Sequence, residues 1–211
     1  MNDRSVSALI PQSARRNESV ILNAALQAFS EKGFNGASMR DIARTAGTSL
    51  SNLYNYFPAK ADLLAEVLQR SNDELLHRTS AAVAAAPPDS PAAAMAAAIR
   101  AYVGFVVDHK DAALVAISEF RYLENTQRAR VVDARDSTQA IFEKLVVDGT
   151  ASGMFRTPHP EDAARNIVAM CSAISTWYRP DGRLSREALA SQHARYAMAM
   201  LEAPEEFLPE A

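Results

Sequence analysis

The sequence has little cysteine and little glycine, and each shortage limits what the protein can be. The single cysteine, Cys171, cannot form a disulfide within the chain, so we expect a reducing compartment, the cytoplasm. Only 7 glycines occur among 211 residues, whereas alanine is abundant, and both features favour helices. The composition therefore predicts a helical protein that needs no disulfide framework.

Long apolar runs are also missing. The segment MNDRSVSALIPQSARR lacks the apolar core of a secretory signal peptide. No run reaches 18 apolar residues, because Arg100 interrupts the alanine-rich stretch around Met95. We therefore expect no membrane partner.

The motifs of common enzyme classes do not occur. There is no Gly-x-Ser-x-Gly, no glycine loop that could cradle a phosphate, and no His/Cys spacing typical of a metal site. The four histidines, His77, His109, His159 and His193, are scattered along the chain. The sequence predicts no catalytic residues, no metal site and no cofactor.

Charge is distributed unevenly along the chain. Residues 1–60 hold 7 Lys or Arg and 4 Asp or Glu, whereas residues 61–211 hold 15 and 21. A basic head on an acidic body indicates that the head meets a polyanion. Because the excess is small, chance is the competing explanation.

Apolar residues recur with a helical period along most of the chain, and no useful strand alternation is present. In the first predicted helix Ile21, Ala25 and Phe29 share one face, and Gly33 ends it as a left-handed cap. Beyond residue 90, four or five further helices are predicted, at about 91–107, 109–123, 126–151, 161–178 and 185–202.

Two very short helices follow the first. Ser38 begins one as its N-cap, with Asp41 three residues later, and Gly47 ends it. The other spans about Ser49–Tyr56, and Pro58 suits the first turn of the next, longer helix. Short helices joined by a glycine-containing turn behind a longer helix are typical of a helix-turn-helix.

The outer face of the second short helix is polar. With Leu53 in the core, 100° per residue directs Ser51 and Asn55 away from it, with Asn52 beside them. Hydroxyls and amides there suit base edges in a major groove. They suit an ordinary solvated surface equally well, and the spacing alone leaves both open.

The segment GASMRDIARTAGTSLSNLYNYFPAKADLLAEVL resembles the DNA-binding segment of the TetR family of bacterial transcriptional regulators. The matching residues are Ser38, Ile42, Ala43, Ala46, Gly47, Leu53, Tyr54, Tyr56, Phe57 and Lys60. The resemblance implies an all-α protein with a three-helix helix-turn-helix domain at 1–60. A helical ligand-binding and dimerisation domain is implied at 61–211.

The resemblance also implies a double-stranded DNA operator as partner. The candidate DNA-binding residues are Ser38, Arg40, Leu50, Ser51, Asn52, Tyr54, Asn55, Tyr56 and Lys60. Tyr54, Tyr56 and Lys60 are expected on phosphates, and Arg40 on a base or a phosphate. Family members often carry Lys-Gly at 50–51; the Leu-Ser found here removes a cation from the groove.

In the family, the second domain holds a ligand pocket and the last two helices form the dimer bundle; here these would be 161–178 and 185–202. For the pocket we take polar and aromatic residues within apolar stripes, together with the apolar Val106. They are Tyr102, Val106, Glu119, Arg121, Tyr122, Arg135, Phe142, Cys171, Trp177 and Tyr178. A surface ion pair for Arg135 and plain packing for Cys171 remain open.

Two stretches of the sequence indicate the chemical class of the effector. GMFR at 153–156 and WYRPDGRLS at 177–185 resemble TetR-type sensors of fatty-acid, phenylacetate and sterol breakdown, several of which answer acyl-CoA thioesters. The resemblance implies a small-molecule effector of the acyl-CoA class. An efflux-gene regulator that senses a drug-like amphipath and an architectural DNA-binding protein without any effector remain as alternatives.

Overall fold

The computed structural model describes residues 12–204, without the side chains of residues 12–16 and 125, and every regular element there is a helix. This confirms the all-α prediction. The helices are α1 (Gln12–Gly36), α2 (Met39–Thr45), α3 (Leu50–Tyr56), α4 (Lys60–Ala84), α5 (Pro91–Asp108), α6 (Lys110–Ser118), α7 (Asn125–Ala151), α8 (Pro160–Trp177) and α9 (Arg186–Met200), with a 3-10 turn at Phe120–Tyr122.

Two of the differences between these bounds and the sequence prediction concern the end of α6 and the start of α4. The predicted helix 109–123 stops at Ser118, and a separate 3-10 turn follows it. Helix α4 begins at Lys60, two residues after Pro58, and the carboxylate of Asp62 accepts the free backbone N–H of Ala59 (3.1 Å). A side-chain cap therefore sets this helix start.

The chain divides into two compact units. The first contains the described residues up to Leu68 together with Val115–Arg128, and the second contains Gln69–Leu114 and the residues from Ala129 onward. The predicted domains, 1–60 and 61–211, did not include a return of the chain to the first unit. Three helices, α4, α6 and α7, each contribute residues to both units.

In the first unit, short helices are held by caps and by a few large apolar side chains. Ser38 and Ser49 accept the backbone N–H of Asp41 and Asn52, respectively, at the starts of α2 and α3. Gly33, at a φ of 66°, bends α1 three residues before its end. Phe29, Ile42 and Leu53 are among the side chains that fill the core.

In the second unit, α5 is the central helix and packs against α8 and α9. Its residues Met95, Ile99 and Val103 are fully buried. Among the described residues, α5 is the one helix long and apolar enough to cross a membrane by length and composition, and 61% of it is buried within the protein.

The turn after α7 depends on close contact between a glycine and an aromatic ring. Any side chain at Gly149 would overlap the ring of Phe155, which is itself fully buried. The backbone N–H of Phe155 donates to the Gly149 carbonyl (3.0 Å), and Arg156 N–H donates to the Leu201 carbonyl (2.9 Å). The GMFR stretch therefore joins α7 to the end of α9.

Candidate functional site

Helix α3 presents the polar face that its sequence predicts. Leu53 is completely buried, whereas Ser51, Tyr54 and Asn55 are exposed. Leu50 is half-buried. The side chains that could meet a base edge or phosphate thus lie on one solvent-facing surface.

Asn52 is oriented by its neighbours on α3. Its Nδ2 donates to the Thr48 hydroxyl (2.7 Å), and its backbone N–H donates to the Ser49 hydroxyl (3.1 Å). An amide nitrogen has two N–H groups, so one N–H and the Oδ1 acceptor remain for a base. Those two groups are what bidentate pairing with adenine requires.

Helix α2 contributes charge to the same head. Ser38 donates its hydroxyl hydrogen to the Asp41 carboxylate (2.8 Å), which also meets Arg44 (2.7 Å). The Ser38 hydrogen bond is the main cause that holds the pKa of Asp41 below its usual value. Arg40 is exposed on the same short helix, so its guanidinium is accessible to a polyanion.

Lys60 has protein partners that the sequence did not reveal. Its ammonium donates to the carbonyls of Phe34 (2.6 Å) and Ala37 (2.8 Å), and it lies 4.5 Å from the centre of the Phe34 ring. These carbonyls lie at the end of α1 and just after it, where helices lack intrahelical partners. An ammonium has three N–H groups, so one remains for the phosphate that was predicted.

Two predicted pocket residues contact the head instead. The buried carboxylate of Glu119 accepts the backbone N–H of Phe34 (2.7 Å). The Tyr122 hydroxyl accepts a hydrogen bond from Asn35 (3.1 Å), and its ring stacks on Phe34 (4.9 Å between centres). Arg121 is exposed and lies over the Tyr122 ring (5.0 Å).

Glu119, Arg121 and Tyr122 therefore belong to the first unit, whereas the other seven predicted pocket residues belong to the second. The proposed pocket set is thus not one cluster within either unit. Sequence reasoning missed Phe34 as the residue that these side chains contact. An aromatic directly after Gly33 was the available signal, but its partner lies 85 residues away.

In the second unit five of the predicted pocket residues are buried together in one apolar core: Tyr102, Val106, Phe142, Cys171 and Tyr178. The Tyr102 hydroxyl is hydrogen-bonded to Ser172 Oγ (2.6 Å). Burial raises the pKa of Tyr102 to about 12 and that of the Cys171 thiol to about 12, so both stay protonated at neutral pH. They offer neutral hydrogen-bonding groups and no charge.

Arg135 and Trp177, the remaining two predicted pocket residues, are exposed. The ring of Trp177 stacks on that of His193 (6.3 Å), and His193 meets Tyr196 (5.9 Å). Trp177 and Tyr196 are each about half exposed, at 51% and 54%. Trp177 on α8 and Tyr196 on α9 thus form an exposed aromatic patch, and both rings pack on the buried ring of His193.

The WYRPDGRLS stretch shapes the connection between these two helices. The carbonyl of Tyr178 accepts a hydrogen bond from Lys110 (2.7 Å), and Gly182 N–H donates to the Arg179 carbonyl (3.0 Å). Ser185 then caps α9. GMFR and WYRPDGRLS, the two stretches that indicated the class of effector, thus both form connections between helices.

A cavity of about 450 Å³ opens between α4, α5 and α7, within the second unit. Apolar side chains line most of it, and none of the ten predicted pocket residues does. Within the part of the chain that the structure describes, no group of three or more His, Cys, Asp or Glu side chains could hold a metal ion.

Comparison with known proteins gives matches over both units. Residues 21–67 match the family model described as bacterial regulatory proteins, tetR family, and residues 88–201 match the tetracyclin repressor-like C-terminal domain. The chain is 27% identical over 185 residues to the transcriptional repressor KstR2 of Mycolicibacterium smegmatis, covering 85% of this chain and 87% of that protein.

Two further matches are with a curated relative and with a solved structure. The transcriptional activator FasR of Mycolicibacterium smegmatis is 30% identical over 195 residues, covering 89% of this chain and 83% of FasR. The crystal structure of AibR in complex with isovaleryl coenzyme A and operator DNA has a TM-score of 0.79 at 21% identity, covering 89% of this chain and all of AibR. At that identity the likeness concerns the fold.

Proposed function

Because the chain belongs to the TetR family of bacterial transcriptional regulators, we propose that it is a cytoplasmic repressor and that a small molecule ends its binding to the operator. The observation that carries the proposal is the exposed polar face of α3, the second of two short helices with side-chain caps, on a chain that matches the family in both units. KstR2, a relative along most of the chain, is a repressor.

In this function α3 enters the major groove. Ser51, Asn52 and Asn55 meet base edges, and Tyr54, Tyr56 and Lys60 hold the flanking phosphates. Ser38 joins them when its hydroxyl hydrogen turns from Asp41 to a phosphate. Arg40 meets a base or a phosphate, and Leu50 contacts at most a thymine methyl. The capped starts of α2 and α3 support this arrangement because they fix both helices without DNA.

The regulator acts as a homodimer through α8 and α9. The exposed aromatic patch supports this interface, since large apolar side chains left in water favour association. A two-fold dimer requires a pseudo-palindromic operator, with half-sites about 34–36 Å apart or a multiple of that. Footprinting of the bound operator should therefore show two symmetric protected segments.

The effector is an acyl-CoA. The resemblance of GMFR and WYRPDGRLS to acyl-CoA sensors supports this class, and AibR, with the same fold, was crystallised with isovaleryl coenzyme A. To end DNA binding, the effector must bind more tightly to a conformation that fits the operator poorly, because equal affinity for both conformations shifts nothing.

A gel-shift panel of short, long and aromatic acyl-CoAs on the operator complex tests the proposal. We expect at least one class to release the DNA at micromolar concentration, with free coenzyme A as the inactive control. If every acyl-CoA is inert up to near-millimolar while a drug-like amphipath releases the DNA, the effector class is wrong and the regulator is of the efflux type. Inertness towards all small molecules would favour an architectural protein.

A further inference from the structure

The backbone of Phe34 connects two charged side chains that are distant from each other in the sequence. Its N–H donates to the buried carboxylate of Glu119 (2.7 Å), and its carbonyl accepts a hydrogen bond from the ammonium of Lys60 (2.6 Å). All three residues lie in the first unit. A displacement of the Phe34 backbone would therefore move one of the two carbonyls that hold Lys60.

Gly33 explains why the Phe34 N–H finds its acceptor elsewhere in the chain. The φ of 66° and ψ of 172° at Gly33 turn the following peptide out of the course of α1. The Glu119 carboxylate accepts the N–H of that peptide and lies beside Gly33, where an added Cβ would be 3.6 Å from Oε2. A residue 85 positions away thus sets the position of the Phe34 backbone.

Aromatic contacts hold the side chain of Phe34 in the same place. The ring of Tyr122 stacks on it at 19°, with 4.9 Å between the centres, and the Tyr122 hydroxyl accepts a hydrogen bond from Asn35. The Lys60 ammonium lies over the same Phe34 ring, 4.5 Å from its centre. Glu119 and Tyr122 therefore hold both the backbone and the side chain that Lys60 contacts.

The two carbonyls determine where the remaining N–H of Lys60 points. An ammonium carries three N–H groups at tetrahedral angles, and two of them donate to the carbonyls of Phe34 and Ala37. Because these two hydrogen bonds fix the rotation about the Cε–Nζ bond, the third N–H has one direction only. A phosphate in that direction is bound with little further loss of side-chain entropy, since the long side chain is already ordered.

We propose that Glu119 and Tyr122 are positioning residues for DNA binding, although we expect neither of them to contact DNA. Through Phe34 they orient the ammonium of Lys60 towards a phosphate of the duplex. The inference rests on the proposed contact between Lys60 and a phosphate, and it adds the residues on which that contact depends. Their contribution is the same for every DNA sequence, because phosphates carry no sequence information.

Binding of the full-length protein to a labelled DNA duplex of random sequence, measured by fluorescence anisotropy across a salt series, tests the proposal. Glu119→Ala should weaken binding about two- to tenfold, the cost of ordering one long side chain. It should also lower the slope of log affinity against log salt by up to about 1. Glu119→Gln keeps an acceptor for the Phe34 N–H and should bind like wild type in both respects. An unchanged slope in folded Glu119→Ala would overturn the proposal.

A double-mutant cycle shows whether the effect of Glu119 passes through Lys60. Lys60→Ala removes the ammonium, so Glu119→Ala should cause no further loss of affinity when it is added to Lys60→Ala. An equally large loss in the presence and absence of the ammonium would mean that Glu119 affects DNA binding by another route, and the proposal would be wrong.

Two controls separate positioning from charge and from stability. Glu124→Ala removes the same charge from an exposed position in the same segment and should leave the slope unchanged. Ile21→Val, at a fully buried position of α1, should lower the melting temperature by leaving a cavity, and it should also leave the slope unchanged. A slope that falls in either control as far as in Glu119→Ala contradicts the positioning role.

Tyr122 offers a second route to the same test if Glu119→Ala does not fold. Tyr122→Leu removes the ring that stacks on Phe34, so it should weaken binding and lower the slope in the same way. Tyr122→Phe keeps the ring and should retain most of the affinity. A folded Tyr122→Leu protein with the affinity and the slope of wild type counts against the proposal.

Failure of the proposed function would give a different result from failure of this inference. A wild-type protein that does not bind duplex DNA at low salt would contradict the DNA-binding function and the inference together. If wild type binds, and the slope falls in Lys60→Ala but not in Glu119→Ala, the DNA-binding function stands and only the positioning role is wrong.

Discussion

Asn52 is positioned before any DNA arrives, because Thr48 and Ser49 hold both its amide and its backbone. A side chain that is already oriented loses less entropy when it binds. The ability of Asn52 to distinguish the operator from random DNA should therefore depend on Thr48 as well as on the amide itself.

We predict that Asn52→Ala weakens operator binding by about 1–3 kcal/mol and leaves random-duplex binding nearly unchanged, because the amide reads a base edge. Thr48→Val should cause a smaller loss with the same selectivity. The measurement is titration of operator and scrambled duplexes across a salt series. Equal weakening on both duplexes would mean that Asn52 contacts the backbone and that α3 is oriented differently.

Lys60 should affect both stability and DNA binding. We predict that Lys60→Ala lowers the free energy of unfolding by about 1 kcal/mol, because two carbonyls near the end of α1 lose their donor. If the third N–H meets a phosphate, the slope of log affinity against log salt falls by about 1. Urea denaturation and salt titration measure the two effects.

Arg40→Ala, a change on the exposed side of α2, is the control for Lys60. It should leave stability unchanged while it weakens DNA binding. A Lys60→Ala protein as stable as wild type would show that solvent replaces the ammonium at both carbonyls.

His193 makes stability depend on pH. Its ring is hydrogen-bonded through Nδ1 to the Leu189 carbonyl (2.8 Å), and burial lowers its pKa below the ordinary value near 6.5. The unfolded chain therefore binds more protons, so this contribution to stability is complete above about pH 6.5 and is lost as pH falls through the folded pKa. We predict a shallower loss of melting temperature between pH 7 and 5 for His193→Gln, but not for exposed His77→Gln.

At the scale of elements, the segment from Val115 to Arg128 determines how the first unit is built. Glu119 and Tyr122 contact the end of α1, and Gln127 donates to the carboxylate of Asp62 on α4 (2.8 Å). The first unit therefore depends on this later segment as well as on the helices near the start of the chain. A substitution in this segment should therefore affect the first unit even when every candidate DNA-binding residue is unchanged.

We predict that Glu119→Ala destabilises the protein by about 1–3 kcal/mol, because the Phe34 N–H loses its partner. Glu119→Gln keeps an acceptor oxygen and should cost less. Glu143→Ala, at an exposed position on α7, is the matched control. Chemical denaturation measures all three, and an Ala variant as stable as the control would contradict the role given to this contact.

At the scale of the molecule, association should depend on the exposed aromatic patch of α8 and α9. We predict that Trp177→Glu or Tyr196→Glu converts a dimer into a 22.9 kDa protomer in light scattering, because the charge would be buried at the interface. Val147→Glu on α7, where the side chain is 61% exposed, should remain dimeric. If the wild-type protein is monomeric at micromolar concentration, the proposed dimer is wrong.

The sequence by itself determined the features that arise within a few residues. Helical period and low glycine content predicted an all-α chain, and Ser38 as a cap followed from an Asp three residues later. The outer face of α3 followed from the angular position of Leu53. Each depends on interactions between near neighbours, so the pattern of the chain is sufficient to predict them.

Only the tertiary structure decided where distant residues meet. Glu119 and Tyr122 have the pattern of pocket residues, yet they contact Phe34 and Asn35, which lie 85 and 87 residues away. Lys60 has the position of a phosphate ligand, yet its ammonium also binds two carbonyls. Thr79 and Thr138 look like ordinary helix residues until the packing shows them buried without a partner. Period and spacing specify which face of a helix is buried, but the neighbour that covers that face depends on how all the helices pack together.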